Sequence, residues 1–354
     1  MNISNIQNKF TEHKIDALLL FTSQNIRYAA GFPVDDGAVL VAKEKAWLFT
    51  DSRYIEAASA CVRDAEVVQY TSEKPLSACL KDALASCGAK AVGAEEDSLS
   101  HKLWQTYEEK LGVTLICAGG LVKSLRVVKQ PYEIEAITAA QRIAERALDE
   151  VLGLIRPGIT EREIAAELTY RMLLHGGDGN AFDPIAVTGK NTSLPHGVPG
   201  DAAVQAGDFV TMDFGCIKDG YRSDMTRTVA VGFATEEMRK VYHTVLEAQE
   251  AGIAAAKAGA TGAAVHGAAA EVIERAGYGE YFGHGFGHSV GLDIHESPNA
   301  SPLNDKPLPT GAVVTAEPGI YLPGKFGVRI EDMLYITETG CVDLTKAPKE
   351  LLVL

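Results

Sequence analysis

Four carboxylates and a run of three histidines are the residues of this chain whose types and spacing could do chemistry. Gly207-x-x-Val210-Thr211-x-Asp213-x-Gly215 returns as Gly311-x-x-Val314-Thr315-x-Glu317-x-Gly319, and Arg222-x-Asp224 returns as Arg329-x-Glu331. An internal duplication is the simplest origin of such an echo. Two related halves facing each other across a pseudo-two-fold axis would bring Asp213, Asp224, Glu317 and Glu331 to one central cleft. Four like charges at low dielectric there need roughly two divalent cations to be tolerated.

Between the halves' acids lies His284-Gly-Phe-Gly-His288-Ser-Val-Gly-Leu-Asp-Ile-His295-Glu296, three histidines among glycines that allow a ligand to approach the backbone closely. The spacing is not the HExxH of a single-zinc helix. One histidine with oxygen ligands at an adjacent pair of ions is the chemistry of Mn²⁺, Co²⁺ or Zn²⁺, and the oxygen-rich set favours manganese or cobalt. A pair of such ions activates a bridging water to hydroxide and polarises the group that it attacks, which is hydrolysis of an amide, ester or phosphate. Near the ions, His196 and His295 would donate to the developing oxyanion or pass a proton. Arg222 and Arg329, each two residues before the second acid of its half, are expected to hold ligating carboxylates from behind.

The elements that must position these groups can be read around them. Lys218-Asp219-Gly220 is a turn between two β-prone runs, so Gly207 to Thr228 reads as a hairpin with Asp213 and Asp224 opposite or diagonal on one face. Gly158-x-Thr160 with Ile164 is matched by Gly259-x-Thr261 with Val265, so the helices upstream of each hairpin keep step as well. Pro131 opens a long helix, Thr160-x-x-Glu163 is a capping box for the next, and helices are expected near 235–258 and 261–276. This second part, residues 131–354, is therefore α+β, helices with antiparallel strands. Residues 1–123 alternate strand and helix signals in the manner of a smaller mixed α/β domain with no catalytic constellation of its own, and 124–130 read as a linker.

The whole chain, 354 residues with 46% hydrophobic and 23% charged residues, is ordinary for a globular protein of about two domains. A formal net charge of −14 argues against nucleic acid and anionic membranes as partners. The N-terminus has no apolar signal region and no segment has membrane-helix length, which reads as cytoplasmic. Six scattered cysteines without CxxC spacing fit reduced thiols.

Pro195-His196-Gly197, the DFG…SDMTRT hairpin, GHGFGHSVGLDIHESP, EPGIY and VRIED, in this order, closely resemble the proline-specific metallopeptidases of the pita-bread fold, the Xaa-Pro aminopeptidases (aminopeptidase P) and Xaa-Pro dipeptidases (prolidases). The first domain resembles the creatinase/prolidase N-terminal domain in layout. The resemblance implies that Asp213 binds one metal, that Asp224 and Glu331 bridge two, and that His288 with Glu317 completes the other. It places His196, His284 and His295 at the substrate, Arg329 in support, and Tyr321 along the site. It further implies small peptides with proline second as substrates, and a homodimer. Creatinases lack the five-ligand set that is complete here, methionine aminopeptidases usually lack so long an N-terminal domain, and loss of a carboxylate would have favoured a non-catalytic binding module. Prolidases often carry an arginine after the His-Glu-x-Pro run to clasp a dipeptide's carboxylate. Asn299 stands there, so cleavage of the first residue from longer peptides, as in aminopeptidase P, is expected over dipeptide hydrolysis.

Overall fold

The computed structural model describes residues 2–354 and divides into two compact units, one ending at Arg126 and the other spanning Val127–Leu354. In the first, six strands form one mixed sheet: β1 (Ala17–Leu20), β2 (Gly37–Ala42), β3 (Ala46–Thr50), β4 (Glu66–Gln69), β5 (Val92–Ala94) and β6 (Leu115–Cys117), in the order β4-β3-β2-β1-β5-β6. Continuous apolar runs such as Ala17-Leu18-Leu19-Leu20 are buried on both faces, as a central strand requires. Seven helices flank it: α1 (Ile3–Gln7), α2 (Phe10–His13), α3 (Ser23–Ala30), α4 (Ile55–Cys61), α5 (Leu76–Cys87), α6 (His101–Leu111) and α7 (Gly119–Arg126). The last runs against its own sequence. Gly119-Gly120 has low helix propensity, yet Leu121 and Val122 behind it are buried, and that packing outweighs it.

The second unit is built twice. Helices α8 (Pro131–Leu152) and α9 (Glu161–Leu174) precede strands β7 (Gly179–Asn180), β8 (Ile185–Thr188), β9 (Phe209–Phe214), β10 (Cys216–Lys218), β11 (Tyr221–Arg222) and β12 (Met225–Ala230). Helices α10 (Glu236–Ala255) and α11 (Gly262–Arg275) precede β13 (Gly287–Ser289), β14 (Glu296–Ala300), β15 (Val313–Ala316), β16 (Gly319–Leu322), β17 (Phe326–Arg329), β18 (Asp332–Ile336) and β19 (Cys341–Asp343). Each half has its own apolar core between its helix pair and its sheet.

The duplication extends to single hydrogen bonds. Thr160 and Thr261 both cap the second helix of their half, accepting from Glu163 N and Ala264 N. Gly158 and Gly259 both take a left-handed φ, of 98° and 84°, and their N–H groups donate to Val204 O and Leu308 O. Gly207 and Gly311 match as closely, with φ of 90° and 89°. A side chain would be strained at all four, which is why glycine recurs there.

The hairpins carrying the acids run β9 to β12 and β15 to β18. Asp219 and Gly220 both have positive φ, of 51° and 80°, giving the tight turn expected of that dipeptide. The halves differ in their third strand, since β8 adds to β9 whereas β19 adds to β18. They join where Thr226 pairs with Glu331, through Glu331 N to Thr226 O at 3.1 Å.

Candidate metal centre

Asp213 lies in β9 opposite Thr226, and the same register puts Gly215 opposite Asp224, so the two acids are diagonal neighbours on the hairpin. In the second half Ala316 faces Asp332 and Gly319 faces Arg329, and that register sets Glu317 directly opposite Glu331. Asp224, Glu317 and Glu331 all occupy the break between two successive ladders of their hairpin.

Asp224 and Glu331 are 3% and 1% exposed. Donor atoms of Asp224, His288 and Glu331 lie within 4.8 Å of one another. Glu317 Oε1 is 3.3 Å from His288 Nε2, and Asp224 Oδ2 is 3.5 Å from it. Burial and repulsion from Asp213 and Glu317 hold the Asp224 carboxyl well above its ordinary pKa, burial and repulsion from Asp224 do the same to Glu331, and burial pushes Glu317 up to about 7. Asp213 Oδ1 and Asp224 Oδ1 are buried without a hydrogen-bond partner. Buried oxygens that lack donors, among carboxyls that resist ionisation, fit a divalent cation, which would supply the missing positive charge.

His288 sits at a β-bulge, since Gly287 pairs with Ala300 while Ser289 pairs with Glu296. Bulges re-aim side chains next to active sites. Its Nδ1 is 3.2 Å from Ser289 O, a contact that fixes the proton there and turns Nε2 as a lone pair towards the carboxylates. Threonines orient the acids: Thr226 Oγ1 donates to Glu331 Oε2 at 2.7 Å, and Thr315 Oγ1 to Glu317 Oε1 at 3.2 Å. Neither hydroxyl stands out in the sequence as a site residue, although Thr315 belongs to the repeated pattern.

Arg329 does not hold the acid two residues after it. Its Nη2 donates to Asp213 Oδ2 at 2.7 Å, so the guanidinium of one half steadies the carboxylate of the other. Its Nη1 donates to Tyr321 Oη at 2.9 Å, and Tyr321 Oη lies 2.9 Å from His284 Nε2. With His284 Nδ1 2.8 Å from Gly285 O, both nitrogens of that ring are engaged within the protein. Burial lowers the His284 pKa to about 4, so the ring is neutral and accepts from the tyrosine. Arg222, expected to mirror Arg329, instead donates to the carbonyls of Leu292 and Ala181. It braces a loop.

These groups open on a cleft of ≈1090 Å³ within the second unit, lined also by His196, His295, Asn299 and the apolar side chains of Phe182, Ile185, Ile294 and Pro323. His196, His295 and Asn299 are exposed. The His295 ring meets His288 edge to face, centroids 4.4 Å apart, and burial lowers its pKa. The apolar lining escapes sequence reading because isolated Phe and Ile residues on loops carry no spacing signal.

The profile of metallopeptidase family M24 matches residues 135–338, and that of the creatinase/prolidase N-terminal domain matches residues 2–128. A Xaa-Pro dipeptidase of Pyrococcus furiosus is 37% identical over 343 residues, 96% of each chain. Among solved structures, a Xaa-Pro dipeptidase from Bacillus anthracis superposes with a TM-score of 0.96 at 39% identity, covering 100% of this chain and 99% of that one. An X-Pro aminopeptidase from Thermotoga maritima does so with 0.93 at 39%, covering 98% and 100%. A duplicated, carboxylate-lined cleft, matching profiles over both units and full-length relatives lead to one statement: the chain belongs to metallopeptidase family M24, with a creatinase/prolidase N-terminal domain ahead of its pita-bread domain.

Proposed function

We propose that this protein is a metal-dependent peptidase that hydrolyses the Xaa-Pro bond at the N-terminus of peptides, releasing the first residue. The observation that carries the reading is the group of Asp224, His288 and Glu331 donors within 4.8 Å, flanked by Asp213 and Glu317. In this reading Asp213, Asp224, His288, Glu317 and Glu331 would hold two divalent ions, preferably Mn²⁺. Such ions, when bound, would supply an activated water and polarise the scissile carbonyl.

The chain's own residues do the rest. His295, its pKa lowered by burial, is neutral at neutral pH and donates its N–H to the carbonyl oxygen as charge develops there. His196, exposed at the same cleft, takes the proton traffic of the amine that leaves. Arg329, braced by Tyr321, holds the Asp213 carboxylate in place. Phe182, Ile185 and Ile294 give a proline ring an apolar wall and exclude water from it.

The length of the substrate follows from charge. Among the described residues lining the cleft, Arg329 is the single lysine or arginine, and its guanidinium is already bound to Asp213, Tyr321, Thr226 and Pro195 O. Asn299 can hydrogen-bond but not neutralise a terminal carboxylate. Arg53, on the first unit, is paired with Asp36 and Asp51. Peptides with proline at the second position and at least one residue beyond it are therefore the preferred substrates, and a homodimer is the assembly of this reading. Dipeptidase activity is the second reading, favoured by the likeness to the Bacillus anthracis dipeptidase. The test is kcat/KM for Ala-Pro against Ala-Pro-Ala with Mn²⁺, before and after chelation. The tripeptide should be the better substrate, and a dipeptide preferred about tenfold, roughly 1.4 kcal/mol in the transition state, would establish the dipeptidase instead.

A further inference from the structure

Lys129 is a lysine whose side chain is 1% exposed, just inside the second unit and outside the repeated pattern. Its Nζ donates to Glu296 Oε2 and to Ser289 Oγ, each at 3.0 Å. Glu296 is 7% exposed at the side chain, and Ser289 is fully buried. Ser289 and Glu296 are cross-strand partners in β13 and β14, immediately past the bulge at His288. Each is the chain neighbour of a histidine of the site, Ser289 following His288 and Glu296 following His295.

The other oxygen of Glu296, Oε1, accepts from Asp293 N at 3.0 Å inside the loop that joins the two strands. A Cβ on Gly291 would come within 2.6 Å of that oxygen, so the carboxylate fills the space under the loop. From its other side the loop is held by Arg222, whose N–H donates to Gly291 O at 2.9 Å and whose side chain reaches Leu292 O. Lys129 is itself anchored, its own N–H donating to Gly311 O at 2.9 Å. A buried charge pair is weak evidence for stability, because desolvation offsets most of the attraction, and its best-attested use is to fix one arrangement among several.

We infer that Lys129 and Glu296 are positioning residues that lock the β13–β14 pairing beyond the bulge, and so set the directions of His288 and His295. This rests on the reading of His288 as a metal ligand. Without the ammonium, Ser289 and Glu296 lose their shared donor, the register past the bulge is no longer pinned, and His288 Nε2 loses its fixed aim at Asp224 and Glu317. Outer-shell partners of this kind typically govern 10- to 100-fold in metal affinity or activity, roughly the loss expected here.

The experiment uses the full chain as Lys129→Met, Glu296→Gln and Ser289→Ala, the last two being milder should the first not fold. Mn²⁺ is titrated into stripped protein, and amide hydrogen exchange is followed at residues 289–296 of the metal-free protein. The expected result is Mn²⁺ affinity about 10- to 100-fold weaker, faster exchange confined to that loop, and a fall in kcat with KM nearly unchanged. Folded Glu296→Gln and Ser289→Ala proteins with wild-type affinity and wild-type exchange would overturn the inference. If the wild-type protein takes up no Mn²⁺, the proposed function fails, and loop exchange in the metal-free variants then decides the role of Lys129 alone.

Discussion

Three histidines within twelve residues are set apart by what their nitrogens touch. His288 has Nδ1 tied to a backbone carbonyl and Nε2 facing acids, His284 has both nitrogens engaged, and His295 stands exposed to the cleft. Replacing His288 by alanine should therefore strip the metal. Replacing His295 should leave the metal bound while lowering kcat about 10²-fold, the usual worth of a positioned proton donor. Equal metal content in the two variants, by elemental analysis, would refute this division of labour. The acids are legible in the sequence because duplication makes a pattern visible twice, and a repeated Asp or Glu among repeated glycines marks one role held in both halves. Lys129 is not legible, because its partners lie 160 and 167 positions away. Arg222 shares the local spacing of Arg329, and the β10–β11 ladder it sits in leads it to the loop carbonyls of Leu292 and Ala181.

At the scale of elements, the strands approach each other too closely for any side chain at a few points. A Cβ on Gly287 would lie 1.9 Å from Thr315 O, and one on Gly215 would lie 1.9 Å from Ser223 O. Gly287→Ala should push β13 from β15 and weaken the bond of 3.0 Å from His288 N to Thr315 Oγ1. A cost of about 1–3 kcal/mol is expected, visible as a Tm lower by roughly 2–12 °C. An unchanged melting curve would mean that the two strands can separate without cost. Helix limits and caps are readable from Pro131, Thr160 and Thr261, since capping is local chemistry. The third strand of each sheet is not, because β8 and β19 join their sheets on edges that depend on loop paths.

For the whole molecule, the buried acids make stability depend on pH in a direction opposite to that of ordinary surface carboxylates. Unfolded, Glu317 titrates near 4.5, and folded without metal near 7. Between those values the folded chain keeps a proton that the unfolded chain has released, so metal-free stability is full below about 4.5 and falls as pH rises through about 7. Asp224 and Glu331, also raised, act in the same sense, whereas His284, lowered to about 4, and the lowered His288 and His295 oppose them below about pH 6.5. Above the range of the histidines, chelator-stripped protein should thus melt at progressively lower temperature from about pH 6.5 to about pH 8, and Mn²⁺ should remove the slope by favouring the ionised forms. A stripped protein whose Tm climbs over that range would contradict the electrostatics of the cluster. No described helix is long and apolar enough to cross a membrane.

The two halves are not equal copies at their centre. Asp213 and Asp224 are eleven positions apart and sit diagonally, while Glu317 and Glu331 are fourteen apart and sit face to face. A perfectly symmetric cradle would look the same to a peptide entering amino end first and to one entering carboxyl end first. The three-residue difference between the hairpins breaks that equivalence, so the site distinguishes head from tail. An exopeptidase needs this sense of direction before any side-chain preference can matter, and here the unequal hairpins supply it together with His288, which the second half alone contributes.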